Sequence, residues 1–241
     1  MDKLAVLRQY FGFPAFRAGQ QTLIDAVLSG RDALGVMPTG GGKSLCYELP
    51  ALLLPGMTLV VSPLISLMKD QVMALRNAGI PAGCINSSMS LDELRETYRD
   101  ARYGAYKLLY VAPERLLTDG FCSLAQELEI PLVAVDEAHC ISQWGQDFRP
   151  SYLKIVEFLQ RLPRRPAVAA FTATATAQVR ADIIRILQLH EPETVVTGFD
   201  RPNLRFEVLR PKDKRTALLQ LLSERRDKSG IVYCAARKTV E

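Results

Sequence analysis

The sequence predicts an α/β fold, a parallel sheet with helices on both faces, and three observations carry that prediction. Short apolar runs alternate with longer amphipathic stretches, as in repeated strand–helix units. The runs are apolar throughout rather than at every second residue, the pattern of strands covered on both sides. The first run leads through a glycine-rich turn directly into a helical stretch.

In chain order, the strand candidates are Ala33–Met37, Thr58–Val61, Lys107–Val111, Leu132–Val135, Ala167–Phe171 and Thr194–Thr197. Ser62 and Pro63 predict the N-cap and first turn of a helix carrying Leu64, Met68, Val72 and Leu75, with Gly79 placed to end it. Leu91–Arg102 and Gln178–Leu189 predict further helices, and no internal repeat or low-complexity tract is present. Composition shifts over residues 198–216, where Asp200, Pro202 and the run Pro211-Lys212-Asp213-Lys214-Arg215 predict an exposed inter-domain link. Around and beyond it come a strand at Arg205–Leu209, a helix at Thr216–Arg226 and a strand in "GIVYC" (Gly230–Cys234). Two strands and one helix cannot cover both faces of a parallel sheet, so the expectation is one complete domain, 1–204, and the beginning of a second, 205–241.

Composition excludes several classes. With 48% hydrophobic and 23% charged residues the chain belongs with soluble globular proteins and not disordered ones. A net charge of +4 permits a nucleic-acid partner without arguing for one. The start, "MDKLAVLRQYF", lacks the apolar stretch of a signal peptide. Leu49 to Met68 is uncharged and long enough for a bilayer, but Pro50, Pro55, Gly56, Ser62 and Pro63 divide it into a buried strand and a helix. Cys46, Cys84, Cys122, Cys140 and Cys234 form no C-x-x-C pair and group with neither histidine. They read as thiols of a reducing cytoplasm, neither a structural zinc site nor a disulfide framework.

Chemistry concentrates in three places. In "PTGGGKS" (Pro38–Ser44), consecutive glycines let backbone N–H groups curl around phosphate oxygens, Lys43 supplies charge, and the Ser44 hydroxyl is placed for Mg²⁺. Against the pattern G-x-x-x-x-G-K-S/T, Met37 stands where the first glycine belongs. The apolar run in "PLVAVDEAH" delivers Asp136 and Glu137 to the carboxyl end of a strand, the edge where open α/β sheets bind ligands. In such a site Asp136 holds Mg²⁺ through water and Glu137 polarises the attacking water. Just downstream, "CISQWGQDFRP" gathers the only tryptophan, Trp144, with Phe148 and Arg149, in no core-like periodicity.

"MPTGGGKS", "DEAH" and "AFTATAT" (Ala170–Thr176) resemble the ATPase motifs of superfamily 2 helicases. Four more stretches resemble the RecQ family of DNA helicases: "FGFPAFRAGQ" (Phe11–Gln20), "YVAPERL" (Tyr110–Leu116), "SQWGQDFRPSY" (Ser142–Tyr152) and "FDRPNL" (Phe199–Leu204). The resemblance covers essentially the whole chain. It implies a P-loop NTPase fold, a RecA-like lobe followed by the start of a second RecA-like lobe. It implies a parent protein that uses Mg²⁺ and ATP to move 3′ to 5′ on single-stranded DNA and unwind duplexes in repair and recombination.

The resemblance also implies residue roles. Phe11, Arg17 and Gln20 would hold adenine, Gln20 through an amide that donates and accepts and Arg17 by stacking. Thr39, Gly40, Gly41, Gly42, Lys43 and Ser44 would hold the phosphates, Ser44 and Asp136 the Mg²⁺, and Lys43, Asp136 and Glu137 would carry the chemistry. His139, Thr172 and Thr174 would link nucleotide state to DNA state. Gln143, Trp144, Gln146, Asp147, Phe148 and Arg149 would form a loop coupling DNA binding to hydrolysis, with bases stacked on Trp144 and Phe148 at about 1–3 kcal/mol each. Ser62, Pro63, Ser87, Ser88, Pro113 and Arg115 would line the single strand's path.

Gln146 departs from the family's usual histidine and cannot carry a proton charge near neutral pH. Gln146→His in a complete enzyme is therefore expected to alter DNA-stimulated ATP hydrolysis; unchanged hydrolysis would show that this position is not tuned. The resemblance implies that arginines of a second lobe, worth about 10³–10⁵ in rate in related enzymes, are expected beyond "GIVYCAARKTVE". The expectation is that this chain alone binds ATP and DNA without unwinding, with no membrane and no structural zinc. A DNA-stimulated translocase that never separates strands fits the same motifs, as does a non-catalytic binding module.

Overall fold

The computed structural model describes residues 2–198 and 204–236, and the chain divides into two compact units, Met1–Phe199 and Asp200–Glu241. In the first unit, seven short strands form one sheet: β1 (Ala33–Val36), β2 (Thr58–Val61), β3 (Ala82–Ile85), β4 (Leu108–Val111), β5 (Leu132–Val135), β6 (Ala167–Thr172) and β7 (Glu193–Val196). Their order is β3-β4-β2-β5-β6-β1-β7, and every pairing is parallel. Eight helices belong to it: α1 (Lys3–Phe11), α2 (Gln20–Leu28), α3 (Leu45–Leu53), α4 (Ile65–Asn77), α5 (Leu91–Arg102), α6 (Asp119–Glu127), α7 (Lys154–Arg161) and α8 (Ala177–Ile186).

The central strands are buried on both faces, which is why they read as unbroken apolar runs. Leu59, Val61, Val133 and Val135 pack on one side with Phe121 and Phe158. Val60, Leu132, Ala134 and Phe171 pack on the other with Tyr47 and Met68. A smaller cluster of Val6, Leu7, Ile24, Leu45 and Leu49 joins α1, α2 and α3. At the amino edge of the sheet, buried Asp32 accepts from the Val168 N–H (2.8 Å), the His190 N–H (2.6 Å) and both terminal nitrogens of Arg165 (3.1 and 2.6 Å), fastening β1 to β6 and to the approach to β7.

The six strands predicted in this unit form, two with the expected ends and four with one or both ends moved by one residue. β3 was not anticipated: Ala82-Gly83-Cys84-Ile85 is too short and too mixed to announce a strand, and it forms as an edge strand on β4. α5 begins as its sequence suggests, with a capping box between Ser90 and Glu93. The Thr176 hydroxyl accepts from the Val179 N–H and starts α8. The predicted Ser62 cap does not form. The Ser62 N–H still donates to Val111 in the β2–β4 ladder, the N-cap is Leu64, and the Ser62 hydroxyl is buried without a hydrogen-bond partner. The uncharged stretch Leu49–Met68 resolves into the end of α3, β2 and the start of α4, and among the described residues no helix is long and apolar enough to cross a membrane.

The second unit holds one regular element among its described residues, α9 (Lys214–Glu224). Asp213 caps it, so Asp213, Lys214 and Arg215 belong to a helix start and not to an extended link. The strands expected at Arg205–Leu209 and in "GIVYC" do not form. A strand needs a ladder partner, and none lies among the described residues of this unit, leaving Phe206, Val208, Ile231 and Tyr233 exposed. Apart from Leu204, "FDRPNL" lies outside the described residues, and with it Asp200 and Pro202 of the expected link.

Candidate nucleotide site and nucleic-acid face

The candidate phosphate loop, Pro38–Ser44, leaves β1 at the carboxyl edge of the sheet, between the ends of β6 and β7. Met37 is buried in the core and its N–H donates to Thr172, continuing the ladder. That is why a bulky residue is accepted at this end of the loop. Gly42 has φ +81°, and a Cβ there would lie 2.3 Å from the Gln20 amide nitrogen, so both backbone and space require glycine. The Lys43 ammonium donates to the Met37 carbonyl (3.3 Å), lying back across the loop it serves. Ser44 precedes α3, and its side chain makes no capping hydrogen bond.

A cavity of about 470 Å³ opens over the loop, bounded by Thr39, Gly40, Lys43 and Ser44 on one side and Asp136 and Glu137 on another. Phe11, Phe13 and Arg17 close it from the amino-terminal segment. Gln20 is only 2% exposed: its amide donates to the Gly42 carbonyl (3.1 Å) and accepts from the Arg17 N–H (2.8 Å). The Arg17 guanidinium lies over the Phe13 ring, 5.9 Å from its centroid, and donates to the Gly40 carbonyl. Both residues thus fasten this segment to the glycine-rich loop.

β5 sets out the two acids. The Asp136 N–H donates to Val61, and the buried carboxyl is pushed up to about 6 by desolvation and by its neighbour Glu137. Glu137 adopts a left-handed conformation (φ 46°, ψ 46°), a strain of roughly 1–3 kcal/mol for a side chain of this kind. Its N–H donates to Asp136 Oδ1 (3.0 Å), and its carboxylate lies 3.3 Å from His139 Nδ1, which lowers its pKa. These acids do not cap a following helix with their side chains; a short 3₁₀ turn, Ala138–Ile141, comes next.

His139 joins β5 to β6. Its Nδ1 lies 2.9 Å from Thr172 Oγ1, whose proton goes to the Thr174 carbonyl (3.1 Å), so Nδ1 is the donor. The Cys140 sulfur at 3.8 Å from Nε2 and the Glu137 carboxylate raise the imidazole pKa to about 10. Thr174 takes part through its carbonyl, with its side chain outward.

Glu48 was missed by the sequence reading. It lies one helical turn after Ser44, hence on the same side of α3, and it lines the same cavity. Its carboxyl, 6% exposed, is pushed up to about 7, chiefly by burial, and accepts from the Tyr110 hydroxyl at 3.4 Å. The donor set is hard oxygen throughout, and at Asp136 burial and the neighbouring Glu137 raise the carboxyl more than Lys43 and His139 lower it. These are the properties of a divalent-cation site, so Mg²⁺ fits the residues present.

On the same edge, the ends of β2, β3 and β4 carry the residues expected along a DNA path. Ser87 and Ser88 are exposed, and Asn86 Oδ1 accepts from both the N–H (2.9 Å) and the hydroxyl (2.7 Å) of Ser88. Arg115 donates to the Asn86 carbonyl (3.2 Å), and Pro113 is buried at the start of the short turn that presents it. Pro63 is half-buried beside Ser62, and its carbonyl accepts from Arg149 (3.1 Å).

The aromatic loop projects beside them. Trp144 is 74% exposed, Phe148 half-buried, and Gln143 and Gln146 exposed. Arg149 pairs with Asp147 through two nitrogens (2.9 and 2.7 Å). At the loop's far end, the Tyr152 hydroxyl donates to the backbone carbonyl of Asp136 (2.8 Å), a tie no motif announced.

Comparison with known proteins bears on the family and the fold. The DEAD/DEAH box helicase family model matches residues 17–183. The ATP-dependent DNA helicase RecQ of Bacillus subtilis (strain 168) is 48% identical over 98% of this chain, and that of Pasteurella multocida (strain Pm70) 46% identical over 99%. The chain spans 40% and 38% of those two proteins. Among solved structures, the Pyrococcus furiosus Hef helicase domain shares the fold with a TM-score of 0.58 over 78% of this chain and 39% of that one, at 19% identity. A hypothetical ATP-dependent RNA helicase from Sulfolobus tokodaii does so at 0.61 over 80% and 56%, at 21% identity. The sequence motifs, the parallel α/β sheet and the family match lead to one identification: this chain belongs to the DEAD/DEAH box helicase family.

Proposed function

We propose that the first unit is the ATP-binding lobe of a RecQ-type DNA helicase, that the second unit begins its partner lobe, and that the parent protein couples ATP hydrolysis to 3′–5′ movement on single-stranded DNA and to unwinding. The observation that carries this reading is the connection between the aromatic loop and the acids: Tyr152 hydrogen-bonds the Asp136 carbonyl, and Arg149 bonds the segment after β2. A loop ordered by DNA has a direct mechanical path to the backbone that sets Asp136 and Glu137.

In this mechanism Lys43 leaves the Met37 carbonyl for the outer phosphates of ATP, and the N–H groups of the phosphate loop surround the remaining oxygens. Ser44 and Asp136 would hold Mg²⁺, which when bound offsets the negative charge of the phosphates. Glu137, kept ionised by His139, orients the attacking water. Adenine enters between the Phe11 and Arg17 side of the cavity and Gln20, whose amide exchanges Gly42 and Arg17 for the base. Single-stranded DNA runs along Pro63, Ser87, Ser88 and Arg115, while Ser62, expected on this path, is buried beneath it and the buried Pro113 starts the turn under Arg115. Its bases meet Trp144 and Phe148, and Gln143, Gln146 and Asp147 complete the loop. The Glu137–His139–Thr172 contacts and the Thr174 carbonyl carry the nucleotide state to β6.

The test is hydrolysis of Mg-ATP by the complete protein with and without single-stranded DNA, beside displacement of a strand from 3′-tailed and 5′-tailed duplexes. Stimulated hydrolysis with displacement only from the 3′ tail is expected. Stimulation without displacement would leave a translocase, and no stimulation would overturn the reading. Residues 1–241 alone are expected to bind Mg-ATP and not to unwind. Tyr152→Phe removes the hydroxyl and keeps the ring. It is expected to lower DNA-stimulated turnover about 3- to 10-fold, the scale of one hydrogen bond, with basal turnover and DNA affinity held. Equal stimulation in the variant would remove Tyr152 from the path.

A further inference from the structure

A second cavity, about 380 Å³, lies between the aromatic loop and α8. One wall is Gln143, Trp144 and Phe148; the other is the face of α8 carrying Gln178, Asp182 and Arg185. Those three positions are spaced i, i+4 and i+7, so one helix side presents all of them to the loop. The floor is fixed: the Ser142 hydroxyl donates to Asp182 Oδ2 (2.7 Å) and accepts from the Trp144 N–H (3.1 Å). Arg185 Nη2 donates to Asp182 Oδ1 (2.8 Å), so both oxygens of this buried carboxylate are engaged. Arg185 itself is 72% exposed and keeps further N–H groups for a ligand.

We propose that this cleft seats one unstacked nucleobase of single-stranded nucleic acid, with α8 as half of the site. Trp144 and Phe148 give the flat walls, the amides of Gln143 and Gln178 meet the base edge, and the Arg185 guanidinium meets the adjoining phosphate. The chemistry selects this occupant. Two primary amides can donate and accept together, as the edge of every base requires, and aromatic rings beside a guanidinium suit a planar group tied to an anion. The inference rests on the reading of the loop as a DNA contact; what it adds is the α8 wall, Gln178 and Arg185, which none of the helicase motifs contains.

Trp144 is the only tryptophan, so its fluorescence reports on the cleft alone. The 241-residue chain would be titrated with a dodecamer of thymidylate and with the same backbone made abasic, reading Trp144 quenching and, with labelled strands, anisotropy. The intact strand is expected to quench and the abasic strand to bind without quenching. Gln178→Ala is expected to weaken the intact strand about 5- to 10-fold and leave the abasic one unchanged. Arg185→Ala is expected to weaken both. Thermal melts and Mg-ATP binding, unchanged in both variants, would certify the fold. If both variants bind and are quenched like the parent chain, the α8 wall is wrong while the loop reading stands. If strands bind the parent chain without quenching, or fail to bind, the loop reading falls and this inference with it.

Discussion

Lys43→Ala is expected to lower ATP turnover of the complete protein about 10²- to 10³-fold, the cost of removing one preorganised charge from a phosphoryl-transfer site. Among the described residues the ammonium's hydrogen bond goes to a backbone carbonyl, that of Met37, at 3.3 Å. The fold therefore loses little when it is removed, and the effect belongs to the bound state. Steady-state hydrolysis measures turnover, and titration with a fluorescent ATP analogue measures binding on the 241-residue chain. Weakened binding with an unchanged melting temperature is the expected pair. Turnover within a fewfold of the parent would mean that Lys43 does not serve the phosphates.

Glu48→Gln is expected to stabilise the nucleotide-free chain, increasingly so as pH rises from 5 to 8. Burial raises the Glu48 carboxyl from 4.5 to about 7, so the folded chain favours the protonated form. The stability from this group is fully present below pH 4.5 and is lost as pH rises through 7. Asp136, raised from 3.8 to about 6, has the same sign over a lower window. An amide stays neutral at every pH and can still accept from Tyr110. At about 1.4 kcal/mol per pH unit, the variant should gain about 3 kcal/mol at pH 8, a rise of about 6–12 °C in Tm, and less than about 1 kcal/mol near pH 5. Calorimetry across that range reads it directly. Parallel Tm curves for the two proteins would mean that Glu48 is solvated in the fold.

The parts of the site that lie in contiguous motifs were legible in the sequence, because local chemistry fixes them: glycines where a left-handed turn and close approach are needed, acids at the end of an apolar run. The parts that the fold assembles were not. Glu48 becomes chemically important only because β4 brings Tyr110 over it and β5 ends beside it. Tyr152 reaches Asp136 only once the loop has folded back, sixteen residues later in the chain. Ser62 misled, since Ser-Pro favours a helix cap locally while the β2–β4 ladder holds the residue in strand geometry. The expected strands at Arg205–Leu209 and Gly230–Cys234 misled for the opposite reason: their composition suits a sheet, and the described residues of their unit supply none.

The sheet order also governs how this lobe is made. β1, which carries the phosphate loop, pairs only with β6 and β7, the last two strands of the unit. A ribosome adding about 5–20 residues per second needs roughly 10–30 s between completing β1 and completing β7. For most of that interval β2, β4, β3 and β5 can already associate, whereas β1 has no neighbour until β6 is made. The candidate nucleotide pocket is thus among the last features to exist in a nascent chain. Under the proposed function, ATP would act as a clasp on the finished sheet and not as a folding template for its early half.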